Sequence, residues 1–239
     1  MKKKQTSLLA ELQKTIGYKF KSHRLLELAL THSSFKNEMK MLSPENACHE
    51  DNERLEFLGD TVLSFVISKK LFRSFPDFPE GRLSKYRSIL VSKGHLFKVA
   101  KELRLIHYLN LGKSEKQGRI SDKGNILADS LEALIAALYL DGGMKNAERF
   151  ILDHFGKYIT LKRLSLLDRN YKSMLQEYAQ RKYKVLPEYL TVFKKGSFHS
   201  TVRTSKSNKA VGTGKSKRDA EQNAAQKLLR KFKKKKPRK

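Results

Sequence analysis

The chain has 239 residues, and its 51 Lys and Arg against 24 Asp and Glu give a formal net charge of +27 and a pI of about 10.1. Such an excess demands a polyanionic partner: nucleic acid leads, and an anionic membrane surface has neither a long apolar span nor a clean basic amphipathic helix to support it. The length allows one large or two ordinary domains, two being preferred, and the single Cys48 excludes an intramolecular disulfide, which fits a reducing, cytoplasmic setting.

At the start, Met1-Lys2-Lys3-Lys4 leads only to Leu8-Leu9-Ala10 before Glu11, too short for the apolar core of a signal peptide. Apolar residues recur at helical spacing over residues 7–15 and 22–30, where Leu25, Leu26, Leu28, Ala29 and Leu30 make a dense face. His32, in Thr31-His32-Ser33-Ser34, reads as a hydrogen-bonded structural residue and not as a ligand. Residues 35–51, with Asn37, Pro44 and Asn46 and little apolar pattern, read as a loop. Cys48 and His49 lie there side by side, a weak metal or nucleophile signal.

A helix is expected over residues 53–75, capped by Asp51 or Asn52 and stopped by Pro76. Glu53 and Glu56 are spaced i,i+3 and Glu56 and Asp60 i,i+4, so all three project from one face. Carboxylates stacked this way repel one another. Oxygen ligands without a Cys or His cluster favour a hard cation such as Mg²⁺ or Mn²⁺. Gly59 in mid-helix costs roughly 1 kcal/mol against Ala, so close approach by another backbone is a reasonable motive. Val62-Leu63-Ser64-Phe65-Val66-Ile67 is apolar nearly all round and implies burial on more than one side.

After Pro76, Pro79 and Gly81, further helices carry Leu83, Tyr86, Ile89, Leu90 and Val91, then residues 96–100. Gly, Ser and Lys make residues 111–123 a mobile loop. A second acidic helix is expected from Asn125 to a stop at Asp141-Gly142-Gly143, with Asp129 and Glu132 again i,i+3 among Leu, Ile and Ala. Ionised carboxylates facing an apolar interior are expensive unless paired or metal-bound. The alternative is that each acidic set faces water, free of metal. A last helix over residues 146–161 closes an all-α domain, residues 1–161.

A short charged linker, residues 162–168, precedes a change of pattern. A helix over residues 170–181 is followed by Pro187 and three strand-like runs, residues 188–193, 198–204 and 209–213. Ser216-Lys217-Arg218-Asp219 reads as a capping box opening a final helix to about Phe232. The second domain, residues 169–232, is thus α+β with the order α-β-β-β-α, and residues 233–239 form a basic tail.

Residues 52–63 (Asn-Glu-Arg-Leu-Glu-Phe-Leu-Gly-Asp-Thr-Val-Leu) resemble the signature of the ribonuclease III family, and residues 126–135 its second acidic helix. The likeness extends to Ala29-Leu30-Thr31-His32-Ser33-Ser34, and to Glu80-Gly81-Arg82-Leu83-Ser84 with Arg87, Leu90 and Val91. Residues 171–178 and 212–221 are similar to a double-stranded RNA-binding domain. The resemblance implies a metal-dependent endonuclease cutting double-stranded RNA to 5′-phosphate and 3′-hydroxyl ends with short 3′ overhangs. Its targets would be rRNA precursors and other structured transcripts, with no small-molecule substrate and no membrane role. It implies Glu56, Asp60, Asp129 and Glu132 as ligands of Mg²⁺, which Mn²⁺ replaces, with Asp60 and Glu132 catalytic and Glu53 and Glu80 in supporting parts. It also implies a homodimer through the nuclease domain, each protomer cutting one strand.

For RNA binding the resemblance points to Ser173, Gln176 and Gln180 in a minor groove, and to Lys215, Lys217 and Arg218 on phosphates. One departure stands out. The family carries Gly-Pro-X-His between the first two strands, where this chain has Lys194-Lys195-Gly196-Ser197-Phe198-His199 in a shortened region. Either His199 lies within the second strand and the loop contact is lost, or that strand is shortened; both imply weaker or less position-selective binding.

Overall fold

Residues 127–138 contain no Gly or Pro and only three polar side chains, so they favour a helix with no solvent face. They form the first half of α8 (Gly124–Phe155), and Leu127, Leu131, Leu134, Ile135 and Leu138 are wholly inaccessible. In this computed structural model, which describes residues 2–42, 50–167, 170–205 and 208–234, that half is the axis of the N-terminal unit. The chain divides into two compact units, Met1–Leu164 and Ser165–Lys239.

Around α8 pack α2 (His23–Ala29), α4 (Glu53–Ser74) and α6 (Lys93–Glu102). Leu63, Val66, Ile67 and Leu71 of α4, with Leu96, Val99 and Ala100 of α6, close the core. Burying each of the larger side chains stabilises by roughly 1.5–3 kcal/mol, and ten or more do so here. The remaining helices of this unit are α1 (Lys2–Ile16), α3 (Ser33–Leu42), α5 (Glu80–Leu90) and the single turn α7 (Lys113–Lys116). The expected stop at Gly143 is a sharp kink, φ 74° and ψ 175°, after which α8 resumes to Phe155. The stretch expected as a linker is helical, α9 (Leu161–Leu167).

Two expectations are corrected. Residues 33–42 are helical and not loop: Phe35, Met39 and Leu42 recur at i, i+4, i+7, a short stripe set among polar residues, and α3 fully buries none of its side chains. Its start is held instead by His32, whose Nδ1 accepts the Ser34 N–H at 3.2 Å, and by an ion pair between Lys36 and Asp51. Residues 113–116 and 120–123 likewise form short helical turns within the expected loop. Residues 43–49, with Cys48 and His49, and residues 235–239 of the basic tail lie outside the described residues.

The C-terminal unit has the expected α-β-β-β-α order: α10 (Tyr171–Tyr183), β1 (Glu188–Lys194), β2 (Ser197–Arg203), β3 (Lys209–Gly214) and α11 (Lys217–Lys234). The strands form an antiparallel sheet in the order β1-β2-β3, with Leu190 opposite Thr201 and Thr201 opposite Val211. One face lies under the helices, burying Val202 and Ala210 against Leu175, Ala224, Leu228 and Phe232. Lys194 pairs directly with Ser197, leaving a two-residue turn in which Lys195 (φ 50°) and Gly196 (φ 74°) both take the left-handed conformation of a tight hairpin. His199 therefore sits inside β2, opposite Val192 and Thr213, the first of the two alternatives.

In the N-terminal unit His95 is 5 % exposed, packed edge-on to Tyr158 at 4.5 Å, and its Nε2 has no hydrogen-bond partner among the described residues. Burial, helped by Lys98 and Lys157 and opposed by Glu102, pushes its pKa down to about 4. The unfolded chain takes up the proton first, so stability present above pH ~6.5 is lost as the pH falls toward 4, by an amount on the order of 3 kcal/mol. Denaturant melts across this range are expected to show a fall that His95→Phe makes smaller by about that amount; an equal fall in both proteins would contradict it.

Candidate metal centre and nucleic-acid interface

The two acidic helices meet at one point. A Cβ built on Gly59 of α4 would lie 1.8 Å from the carbonyl oxygen of Glu132 in α8, so only glycine permits this crossing. The entry of α4 is tied both to the end of α2 and to α8. Asn52 N–H donates to the Thr31 carbonyl at 2.9 Å, and the buried Asn52 side chain donates to the Ala29 carbonyl and the Ser130 hydroxyl, both at 3.3 Å. Asn52 thus occupies the cap position without capping, and it is Asp51 that accepts the Glu53 N–H, at 3.2 Å.

This crossing gathers Glu56, Asp129 and Glu132, which offer carboxylate oxygens within 4.8 Å of one another. Glu53, Asp60 and Thr61 line the same open cleft with Phe57, Val91 and Lys93. Glu80 does not join them: it accepts the Ser84 hydroxyl at 2.6 Å in a separate groove with Ser68, Phe72 and Arg87. Burial, and then the charge of Asp60, push Glu132 up to about 8 even though Lys93 opposes the shift. Glu56 is also raised, by burial and by Asp129. Both shifts report an excess of negative charge held out of water.

Three or four carboxylates with no Cys or His suit a hard divalent cation. The residues present fit such an ion: Glu132 is 5 % exposed yet has no ion-pair partner among the described residues, and a dication would relieve the repulsion that raises it. Lys93 is the residue that the sequence reading missed. Its ammonium pairs with Glu56 at 3.3 Å and more closely with Asp129. These partners lie 36 and 37 residues away, so no local spacing could announce them.

On the C-terminal unit, Asn170 caps α10 by accepting the Ser173 N–H, and Gln222 of α11 joins the two helix starts through the Lys172 N–H at 3.1 Å and Asn170 at 3.2 Å. Gln176 and Gln180 are exposed and Ser173 half-buried on α10, while Lys215, Lys217 and Arg218 are exposed at the start of α11. Here Ser216 accepts the Asp219 N–H at 3.1 Å, and its hydroxyl donates to the Asp219 carboxylate. Exposed helix-start N–H groups and cationic side chains together favour phosphate.

An acidic, cation-ready cleft on one unit and a basic α-β-β-β-α fold on the other make a nucleic-acid-processing protein. The model of the ribonuclease-III-like family matches residues 22–159, and that of the double-stranded RNA binding motif matches residues 171–232. The chain is 40 % identical over 232 residues to a Ribonuclease 3 of Leptospira interrogans, covering 95 % of this chain and 92 % of that protein. It is 42 % identical over 230 residues to one of Syntrophobacter fumaroxidans, covering 92 % and 93 %. Among solved structures, the ribonuclease III nuclease domain of Campylobacter jejuni superposes with a TM-score of 0.55 at 37 % identity, covering 63 % of this chain and 95 % of that one. The chain belongs to the ribonuclease III family, and as such is a double-stranded RNA endonuclease.

Gly59→Ala is expected to force α4 and α8 apart, lowering stability by more than about 2 kcal/mol and weakening binding of divalent ions; wild-type melting and metal affinity would refute the crossing as drawn. Replacing Lys215, Lys217 and Arg218 with Ala should reduce duplex RNA affinity at least tenfold in chelator, and flatten its salt dependence by roughly two to three ions. An unchanged salt slope would remove these residues from the interface.

Proposed function

We propose that this chain hydrolyses double-stranded RNA with divalent metal held by Glu56, Asp60, Asp129 and Glu132, Mg²⁺ being the expected ion and Mn²⁺ a substitute. The observation that carries this is the meeting of Glu56, Asp129 and Glu132 within 4.8 Å around a buried carboxylate raised to about 8. When bound, the metal supplies activated water and stabilises charge on the leaving 3′ oxygen. The chain's own part is geometric: α4 and α8, locked at Gly59, hold the carboxylates in place before substrate arrives. Asp60, on the rim of the cleft, adds charge beside Glu132. Glu53 lies on the same rim in a supporting position.

The products are 5′-phosphate and 3′-hydroxyl ends with short 3′ overhangs, made by a homodimer in which each protomer cuts one strand. Exposed aromatic side chains support the dimer: Phe57, Phe65 and Phe72 of α4 are 79 %, 54 % and 71 % exposed in the single chain. So does a second solved Campylobacter jejuni nuclease-domain structure, 38 % identical with a TM-score of 0.53, described for flexibility in a region involved in dimer formation. Glu80 lines the groove that also contains Phe72, which suits a place near the subunit interface.

Ser173, Gln176 and Gln180 face the minor groove, and Lys215, Lys217 and Arg218 neutralise phosphates. With His199 held in β2, the tight Lys195-Gly196 turn offers no minor-groove loop, and binding is correspondingly less position-selective. The domain limits are residues 1–161 and 169–232, the substrates structured transcripts such as rRNA precursors, and the setting cytoplasmic. No helix among the described residues is long and apolar enough to cross a membrane.

Duplex RNA incubated with the protein and Mg²⁺ should be cut, and chelator should stop it. Glu132→Ala is expected to slow cleavage by at least 100-fold while leaving RNA affinity in chelator within about threefold. Full cleavage by that variant would defeat the ligand assignment.

A further inference from the structure

We propose that Lys93 is a built-in occupant of the metal centre: in the metal-free protein its ammonium holds Glu56 and Asp129 together, and a divalent cation binds by displacing it. This rests on the reading of those carboxylates as ligands. Three features of the position support it.

Lys93 is the first residue of α6, where the positive end of the helix disfavours a cation. What offsets this is the acidic cluster, through pairs to Glu56 and Asp129. Its base is firmly placed: the Ser92 hydroxyl donates to the Ile89 carbonyl at 2.8 Å, and Leu96, Val99 and Ala100 bury the next turns of α6. The ammonium end, by contrast, is free to leave, for the side chain is 51 % exposed and solvent can rehydrate it cheaply. A fixed base with a releasable tip is what a reversible placeholder requires.

The ammonium also covers the cluster only in part. It bonds the two partly buried acids and not Glu132, which is 5 % exposed and has no ion-pair partner among the described residues. One monovalent charge cannot neutralise four carboxylates, so the site retains its attraction for a dication. Loss of Lys93 would remove a competitor and also a repulsion on the bound ion. Both effects tighten metal binding.

The test uses the full-length chain without RNA, titrated with Mn²⁺ by calorimetry, and melted in chelator and in saturating Mn²⁺. Lys93→Gln is expected to bind Mn²⁺ roughly three- to tenfold more tightly, to melt lower than wild type in chelator, and to gain more from the metal. Lys93→Arg keeps the charge, so its affinity should stay at or below that of wild type. A Mn²⁺ affinity of Lys93→Gln equal to or weaker than wild type overturns the proposal. Asp129→Asn separates the two levels of argument. If wild type shows a site that Asp129→Asn loses, and Lys93→Gln leaves it unchanged, only the role of Lys93 fails; if wild type shows no site, the metal centre falls and this role with it.

Discussion

The N-terminal unit depends on one close crossing. Because Gly59 has no side chain, α4 runs directly over the carbonyl of Glu132, and the carboxylates of both helices come together at the same height. The cost is electrostatic: carboxylates that would sit comfortably in water are drawn against an apolar core and against one another. The core offsets that cost. The inaccessible first half of α8 and the buried face of α4 supply the burial that lets the pair hold an unfavourable charge arrangement without separating.

The C-terminal unit solves a different problem with a similar economy of contacts. Its helices cover one sheet face, and their starts are joined through Gln222, while Glu221 is buried between Lys172 and Thr191 at 2.6 and 3.2 Å. That polar network fixes the angle at which the two helix starts meet, and with it the spacing between the polar face of α10 and the cations of α11. Spacing of this kind is what a reader of duplex shape needs, since A-form RNA shows a protein its backbone and 2′-hydroxyls more than its base edges.

Much of this was legible before folding because it is written in short-range spacing. Acids at i,i+3 and i,i+4 announce one helix face, and a costly mid-helix glycine announces a close approach; the partner at Gly59 is the other acidic helix. Alternation and Pro187 announce the sheet. What escaped has a weak local signature or none. Helix α3 carries only the short stripe of Phe35, Met39 and Leu42 in a polar stretch, and fully buries none of its side chains. Asn52 looks like a cap, yet its side chain turns to Ser130, 78 residues away. Lys93 reads as one lysine among many until α6 carries it to Asp129. In each case a tertiary contact overrides, or replaces, the pattern visible in sequence.

The charge balance then poses a question that the geometry answers in part. A chain of net charge +27 attracts RNA from a distance, but the cleft it must deliver a phosphodiester to is lined by carboxylates. Long-range attraction falls off within about 8–10 Å at physiological salt, and at contact distance the local sign decides. One ammonium, from Lys93, leaves that local sign negative. On the proposed reading, polyanion and acidic cleft become compatible once divalent cations occupy the cluster, so the carboxylates that would hold metal would also make entry of the scissile phosphodiester into the cleft conditional on it.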